Sequence, residues 1–177
     1  MEHMLQRWST YRTLEQFFDS PRKAFLVREL SRSTKLAQTA VRLHLKALLT
    51  DGLIVREKAG PYPAFKASRE SPLFKLLKAQ NTVLRLLRSG AVERIEKAAY
   101  PTCIVLFGSA SRGEDIETSD IDLFVQAKRK PVELTPFERA LKRKINTLFE
   151  PDLRTVSSEL RNNLANGAVL SGYLKVL

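Results

Sequence analysis

Residues 103–125 read Cys103-Ile104-Val105-Leu106-Phe107-Gly108-Ser109-Ala110-Ser111-Arg112-Gly113, then an acidic polar stretch from Glu114 to Ser119, then Asp120-Ile121-Asp122-Leu123-Phe124-Val125. The first five residues are a continuous apolar run of the length of a buried strand, and they lead directly into Gly-Ser. The last six form a second strand. Its two-residue period puts Asp120 and Asp122 on one side, with Ile121 and Leu123 on the other. Two carboxylates two residues apart at the start of a strand present oxygens to a hard cation such as Mg²⁺; without one they are a costly like-charge pair. The glycine of a strand-to-helix turn lets the backbone come close to an anion.

Toward the C-terminus, Thr135-Pro136-Phe137-Glu138 has the form of a capping box with proline at the first helical position. It predicts a helix from Thr135 to about Leu148, with Leu141, Ile145 and Leu148 inward. A third strand is expected over Glu150-Pro151-Asp152-Leu153-Arg154-Thr155-Val156, and a helix from Glu159 to Asn166, closed by Gly167.

Toward the N-terminus the pattern is helical. Ser71 as a cap and Pro72 at the first position open a helix in which Leu73, Leu76, Leu77, Leu84 and Leu87 keep a helical period to Gly90, with Lys75, Lys78, Arg85 and Arg88 as its polar face. A shorter helix follows over Ala91–Ala99, with Val92 and Ile95 inward. Residues 71–100 read either as a connecting arm or as the first helices of the domain that follows, and the arm offers a surface for homodimer contact.

Before Ser71 the order is helix, helix, helix, hairpin. The helices are predicted around Thr13–Phe18, Ala24–Leu30 and Leu36–Thr50, the last ending at Asp51-Gly52; the hairpin runs from Leu53 to Ala67 around Gly60-Pro61. Val41, Leu45, Leu48 and Leu49 make the inner stripe of the third helix. Lys35, Gln38, Thr39, Arg42 and Lys46 recur at spacings of three and four opposite it, and all five can bond to phosphates or base edges. The layout and the run His44-Leu45-Lys46-Ala47-Leu48-Leu49-Thr50-Asp51-Gly52-Leu53-Ile54 resemble the winged helix-turn-helix of many prokaryotic regulators. That resemblance makes the helix from Leu36 the recognition helix and places Arg56, Lys58 and Lys66 on the wing. The same module can also serve protein contacts alone.

Charge supports a polyanion partner for this half. The 177 residues carry a formal charge of +11, with 44% hydrophobic and 28% charged residues, a composition that excludes wholesale disorder and fibrous repeats. Residues 1–70 hold 13 Lys/Arg against 7 Asp/Glu and residues 71–100 hold 6 against 2, whereas residues 101–177 hold 11 against 10. Basic surface of this kind gains affinity for nucleic acid by counterion release. The single Cys103, in an apolar run, has no partner for a disulfide or a zinc site, and no apolar window is long enough to span a membrane. The start of the chain also lacks the basic-then-apolar pattern of a signal peptide, so a cytoplasmic location is expected. His3 and His44 are the only histidines, and His44 is expected to be a partly exposed helix residue.

The pattern Gly-Ser-x10-Asp-x-Asp after an apolar strand resembles the signature of the DNA polymerase β-like nucleotidyltransferase superfamily, and the run Leu106–Gly113 resembles that of its minimal prokaryotic members. There is no Gly-Lys-Ser/Thr of a P-loop and no Gly-x-Gly-x-x-Gly of a dinucleotide fold. The resemblance implies an α+β chain of three parts: a winged helix-turn-helix over 1–70, a helical arm over 71–100 and a small mixed-sheet nucleotidyltransferase fold over 101–177. It implies that Gly108, Ser109 and Arg112 hold the phosphates of a nucleoside triphosphate, with ATP favoured. Asp120 and Asp122 would then bind Mg²⁺ or Mn²⁺. A third carboxylate comes from a later strand in the family's active enzymes; Asp152 is the candidate and Glu150 the alternative. Pro151 and Arg154 depart from the apolar setting of that carboxylate, and if Pro151 aligns with an Asn-Pro of winged-helix-fused relatives, no acid is aligned to the third site.

The expected activity is transfer of a nucleoside monophosphate to a hydroxyl of a protein, including a toxin partner as in the family's antitoxins, or of a nucleic acid. Double-stranded DNA is the expected partner of the N-terminal part. The rival reading is a DNA-binding regulator or antitoxin whose degenerate nucleotidyltransferase-like domain senses nucleotide or mediates assembly.

Overall fold

The computed structural model describes residues 8–59 and 61–174, without the side chains of Lys58 and Ala59. The chain divides into two compact units, residues 1–75 and 76–177.

In the first unit, α1 (Ser9–Asp19), β1 (Phe25–Leu26), α2 (Val27–Thr34) and α3 (Gln38–Thr50) precede the hairpin of β2 (Ile54–Ala59) and β3 (Tyr62–Ala67). The strands form an antiparallel sheet in the order β1-β3-β2, with Phe25 opposite Phe65 and Arg56 opposite Phe65 on the other side. Phe17, Leu30, Val41, Leu45, Leu48 and Ile54 fill the core, and the Phe17 and Phe25 rings meet edge to face at 5.3 Å. The expected helix over Ala24–Leu30 is displaced: Phe25 and Leu26 pair with β3, and the helix begins at Val27 and runs to Thr34. The Glu29 carboxylate closes its first turn by accepting from the Leu26 N–H at 2.8 Å. His44 is buried rather than partly exposed, with Nδ1 2.8 Å from the Thr10 hydroxyl, and burial lowers its pKa.

The helix α4 (Pro72–Ser89) starts where Ser71 predicts, the hydroxyl accepting from the Phe74 N–H at 3.4 Å. Its inward face is not the expected one. Phe74, Lys78, Asn81, Thr82 and Leu86 are buried, while Leu73, Leu76 and Leu87 are exposed.

In the second unit, α5 (Ala91–Ala99), β4 (Cys103–Phe107), α6 (Gly108–Ser111), β5 (Ile121–Val125), α7 (Thr135–Leu141), β6 (Ile145–Phe149), α8 (Ser158–Ala165) and β7 (Ala168–Gly172) build a mixed sheet of order β6-β5-β4-β7. β5 and β6 are parallel and the other pairs antiparallel. Successive β4 side chains serve opposite faces. Ile104 and Leu106 join Leu86, Val92, Ile95 and Leu141, whereas Cys103 and Val105 join Phe124, Leu153 and Leu164. Burial on both faces explains why β4 is apolar throughout.

The helix expected over 135–148 stops at Leu141 because Lys142 takes the left-handed conformation, φ 56°. Glu138 does not close a capping box. Its carboxylate accepts from the Ile145 N–H at 2.9 Å, where the chain enters β6. The strand expected over 150–156 is instead a short 3-10 turn, Leu153–Thr155; the strand lies five residues earlier.

Candidate functional site

The last residue of β4, Phe107, pairs with Asp122 of β5, so the turn that follows β4 lies beside the second carboxylate. Gly108 has φ +73°, a conformation that disfavours side chains, and a Cβ placed on it would lie 2.9 Å from Asp122 Oδ2. Glycine at 108 is therefore required twice, by its backbone and by its neighbour. Ser109 and Arg112 follow on the same turn: the Ser109 carbonyl accepts from the Arg112 and Glu114 N–H groups, and the Arg112 side chain is paired with Glu114 at 2.8 Å.

Asp120 and Asp122 share one face, as their spacing requires. The third residue brought to them is Asn146 of β6, directly opposite Asp122 in the parallel pairing. Its amide nitrogen lies 3.2 Å from Asp120 Oδ2 and 3.1 Å from Asp122 Oδ1. The two carboxylates only accept, so the NH2 end of the amide faces them.

Asp152 and Glu150 do not complete this site. Among the described residues no group of three His, Cys, Asp or Glu side chains is placed to hold a metal. Asp152 instead caps the 3-10 turn and binds Arg154 through Nε at 3.0 Å and Nη2 at 2.7 Å. That guanidinium and the Arg154 N–H hold the Asp152 carboxyl at about 2. Asp152 falls outside the site because α7 ends early, which makes Ile145–Phe149, rather than 150–156, the strand beside β5.

Beside the Asp120 backbone lies an ionic cluster in which Lys78 and Asp115 are buried. Arg143 donates from Nη1 to Asp115 Oδ2 at 2.6 Å, from Nε to the Ser119 carbonyl at 2.8 Å and from Nη2 to the Asp120 carbonyl at 2.9 Å. Lys78 pairs with the other Asp115 oxygen and donates to the Asp115 carbonyl at 2.8 Å. Arg143 thus fixes the backbone of Asp120. Sequence reading misses Asn146, Arg143 and Lys78, because each acquires its place from a segment remote in the chain. The only local signal for Asn146 is the Ile145-x-Thr147-x-Phe149 alternation, which also fits a helix end. Cys103 is fully buried, and burial pushes its thiol up, which leaves it inert.

In the first unit, Gln38, Thr39, Arg42 and Lys46 are exposed on α3 and Arg56 on β2. Gln38, Arg42, Lys46 and Arg56 line a groove of roughly 700 Å³ together with Arg28 and Tyr62, whose ring lies 5.8 Å from the Arg28 guanidinium. Lys35 lies outside α3. It is the left-handed C-cap of α2, φ 55°, because α3 starts at Gln38 and not at Leu36. The Lys58 side chain lies outside the described residues.

Residues 91–173 match the family model described as "Polymerase beta, Nucleotidyltransferase". The match runs from α5 into the residue after β7, contains Gly108, Asp120, Asp122, Asn146 and Asp152, and supports a nucleotidyltransferase domain over that segment. Neither the curated proteins nor the solved structures give a match to the chain. No helix among the described residues is long and apolar enough to cross a membrane.

Proposed function

We propose that the second unit binds a nucleoside triphosphate, ATP in preference, together with Mg²⁺ or Mn²⁺, and transfers the nucleoside monophosphate to a hydroxyl of a protein or nucleic acid. The observation that carries this reading is the Asp120–Asp122 pair on one strand face beside the Gly108 turn, inside the segment that matches a nucleotidyltransferase family. Two carboxylates suit Mg²⁺, which is commonly held by one or two carboxylates together with substrate phosphates. When bound, the cation neutralises phosphate charge and polarises the phosphorus under attack. Asp120 and Asp122 would hold it, and Gly108 leaves room for phosphate oxygens next to Asp122. In the transfer the acceptor hydroxyl gives up its proton to solvent, a bond forms from its oxygen to the α-phosphorus, and the bond to the α,β-bridging oxygen breaks, releasing pyrophosphate.

The first unit, on this proposal, is a winged helix-turn-helix that binds double-stranded DNA through Gln38, Thr39, Arg42 and Lys46 on α3 and Arg56 on the hairpin. Its order of helix, strand, two helices and hairpin, with a β1-β3-β2 sheet, supports that reading.

Asn146 favours a second reading. An amide takes no proton from an acceptor hydroxyl, so the third position supplies no base for transfer. The chain would then be a DNA-binding regulator or antitoxin that responds to nucleotide. One experiment separates the two: α-³²P nucleoside triphosphates, one base at a time, with Mg²⁺ or Mn²⁺, are incubated with the protein and a host lysate, and the Asp120→Asn/Asp122→Asn variant serves as control. The first reading expects a labelled protein or nucleic acid that the control lacks. The second expects no label under any condition from protein that still binds nucleotide and DNA.

A further inference from the structure

Asn146 occupies a telling place: its amide nitrogen bridges the oxygens of two carboxylates that face the same side of one strand. Hydrogen-bond donation from this nitrogen offsets the repulsion between Asp120 and Asp122, as a cation between them would. The same planar group carries a carbonyl oxygen, and a half-turn of the amide would exchange nitrogen for oxygen. Amide oxygens are ordinary ligands of hard cations.

We propose that Asn146 is a neutral third ligand of this site, turning its oxygen inward when a cation arrives, so that the site holds one divalent cation and holds it tightly only together with the nucleotide's phosphates. The inference rests on the reading that the second unit binds a nucleoside triphosphate. Ligand supply sets the stoichiometry. Two carboxylates and one amide form a single cluster of ligands, and no third acid among the described residues stands ready for a second cation. Asp152 is held by Arg154 in an exposed ion pair. A site of this kind binds free cation weakly, because two carboxylates and an amide supply only about half of an octahedral shell and leave the rest to water.

The test uses the full chain and α,β-methylene-ATP, which cannot release pyrophosphate. Equilibrium dialysis gives the Mn²⁺ bound per chain, and calorimetry gives the affinity for free Mn²⁺ and for the analogue with and without Mn²⁺. The wild-type chain should bind one Mn²⁺ per bound analogue, and free Mn²⁺ at least tenfold more weakly than the Mn²⁺–analogue complex. Asn146→Asp should bind free Mn²⁺ at least tenfold more tightly than wild type. Asn146→Leu should lose about tenfold in affinity for the Mn²⁺–analogue complex and keep its affinity for the metal-free analogue. Asn146 is exposed, so neither variant should disturb folding, which circular dichroism checks.

Two Mn²⁺ per analogue on the wild-type chain, or an Asn146→Leu chain that matches wild type, overturns the inference and leaves the nucleotide reading standing. Failure of every variant, Asn146→Asp included, to bind the analogue overturns the nucleotide reading itself.

Discussion

Lys78 and Asp115, thirty-seven residues apart, form an ion pair in which both side chains are only 3% exposed. A lysine on an otherwise leucine-rich helix is thus drawn inward to neutralise a loop aspartate, which Arg143 contacts from the other side at 2.6 Å. Removing one member of such a buried pair strands charge in the interior, at a cost of about 3 kcal/mol. Lys78→Met should therefore lower unfolding free energy by about that much in urea titration. A loss below about 1 kcal/mol would mean that Arg143 satisfies Asp115 alone.

Gly108→Ala is expected to damage the site more than the fold. Its φ of +73° costs an alanine about 1–2 kcal/mol, and the new methyl group would push against Asp122 Oδ2 at 2.9 Å. Affinity for a Mn²⁺–nucleotide complex should fall at least tenfold, while the melting temperature drops by only a few degrees. Unchanged nucleotide affinity would separate the turn from the site.

Asp152 titrates at about 2 through its bond with Arg154, below the ordinary aspartate value. Its contribution to stability is therefore present above about pH 4 and lost as the pH falls through 2. Because the pair is exposed, solvent screens it and the contribution is small. Asp152→Asn should leave nucleotide binding and any transfer activity unchanged, as calorimetry and the label-transfer assay measure. A loss of either would return Asp152 to the site.

Arg42→Ala should weaken DNA binding about equally across sequences if the side chain meets phosphate, and reduce by about one the slope of log affinity against log salt. Band-shift titrations at several salt concentrations measure both. Nucleotide binding by the second unit should be untouched. An affinity that does not depend on salt would exclude the exposed face of α3 as a phosphate contact.

Much of the site is legible in the sequence because it is local. The apolar run Cys103–Phe107, the Gly108 turn and the alternation of Asp120 and Asp122 lie within 23 consecutive residues, and the two-residue period of a strand alone decides which side each carboxylate takes. The inward stripe Val41, Leu45 and Leu48 of α3 is legible for the same reason, since the helical period sorts its apolar residues from Gln38, Thr39, Arg42 and Lys46.

Other features depend on partners far along the chain. Leucines lie on both sides of α4, so its period leaves the inward face open, and the loop carrying Asp115 draws Lys78 in. Ile145 and Leu148 suit a helix as well as a strand until Lys142 turns left-handed and β6 pairs with β5. The third member of the site is then whatever residue that register sets against Asp122, which is Asn146 and not Asp152. Short-range periodicity is enough to place the two carboxylates and the glycine turn. What completes them emerges in the folded chain, because strand register and burial are settled between segments that no local pattern connects.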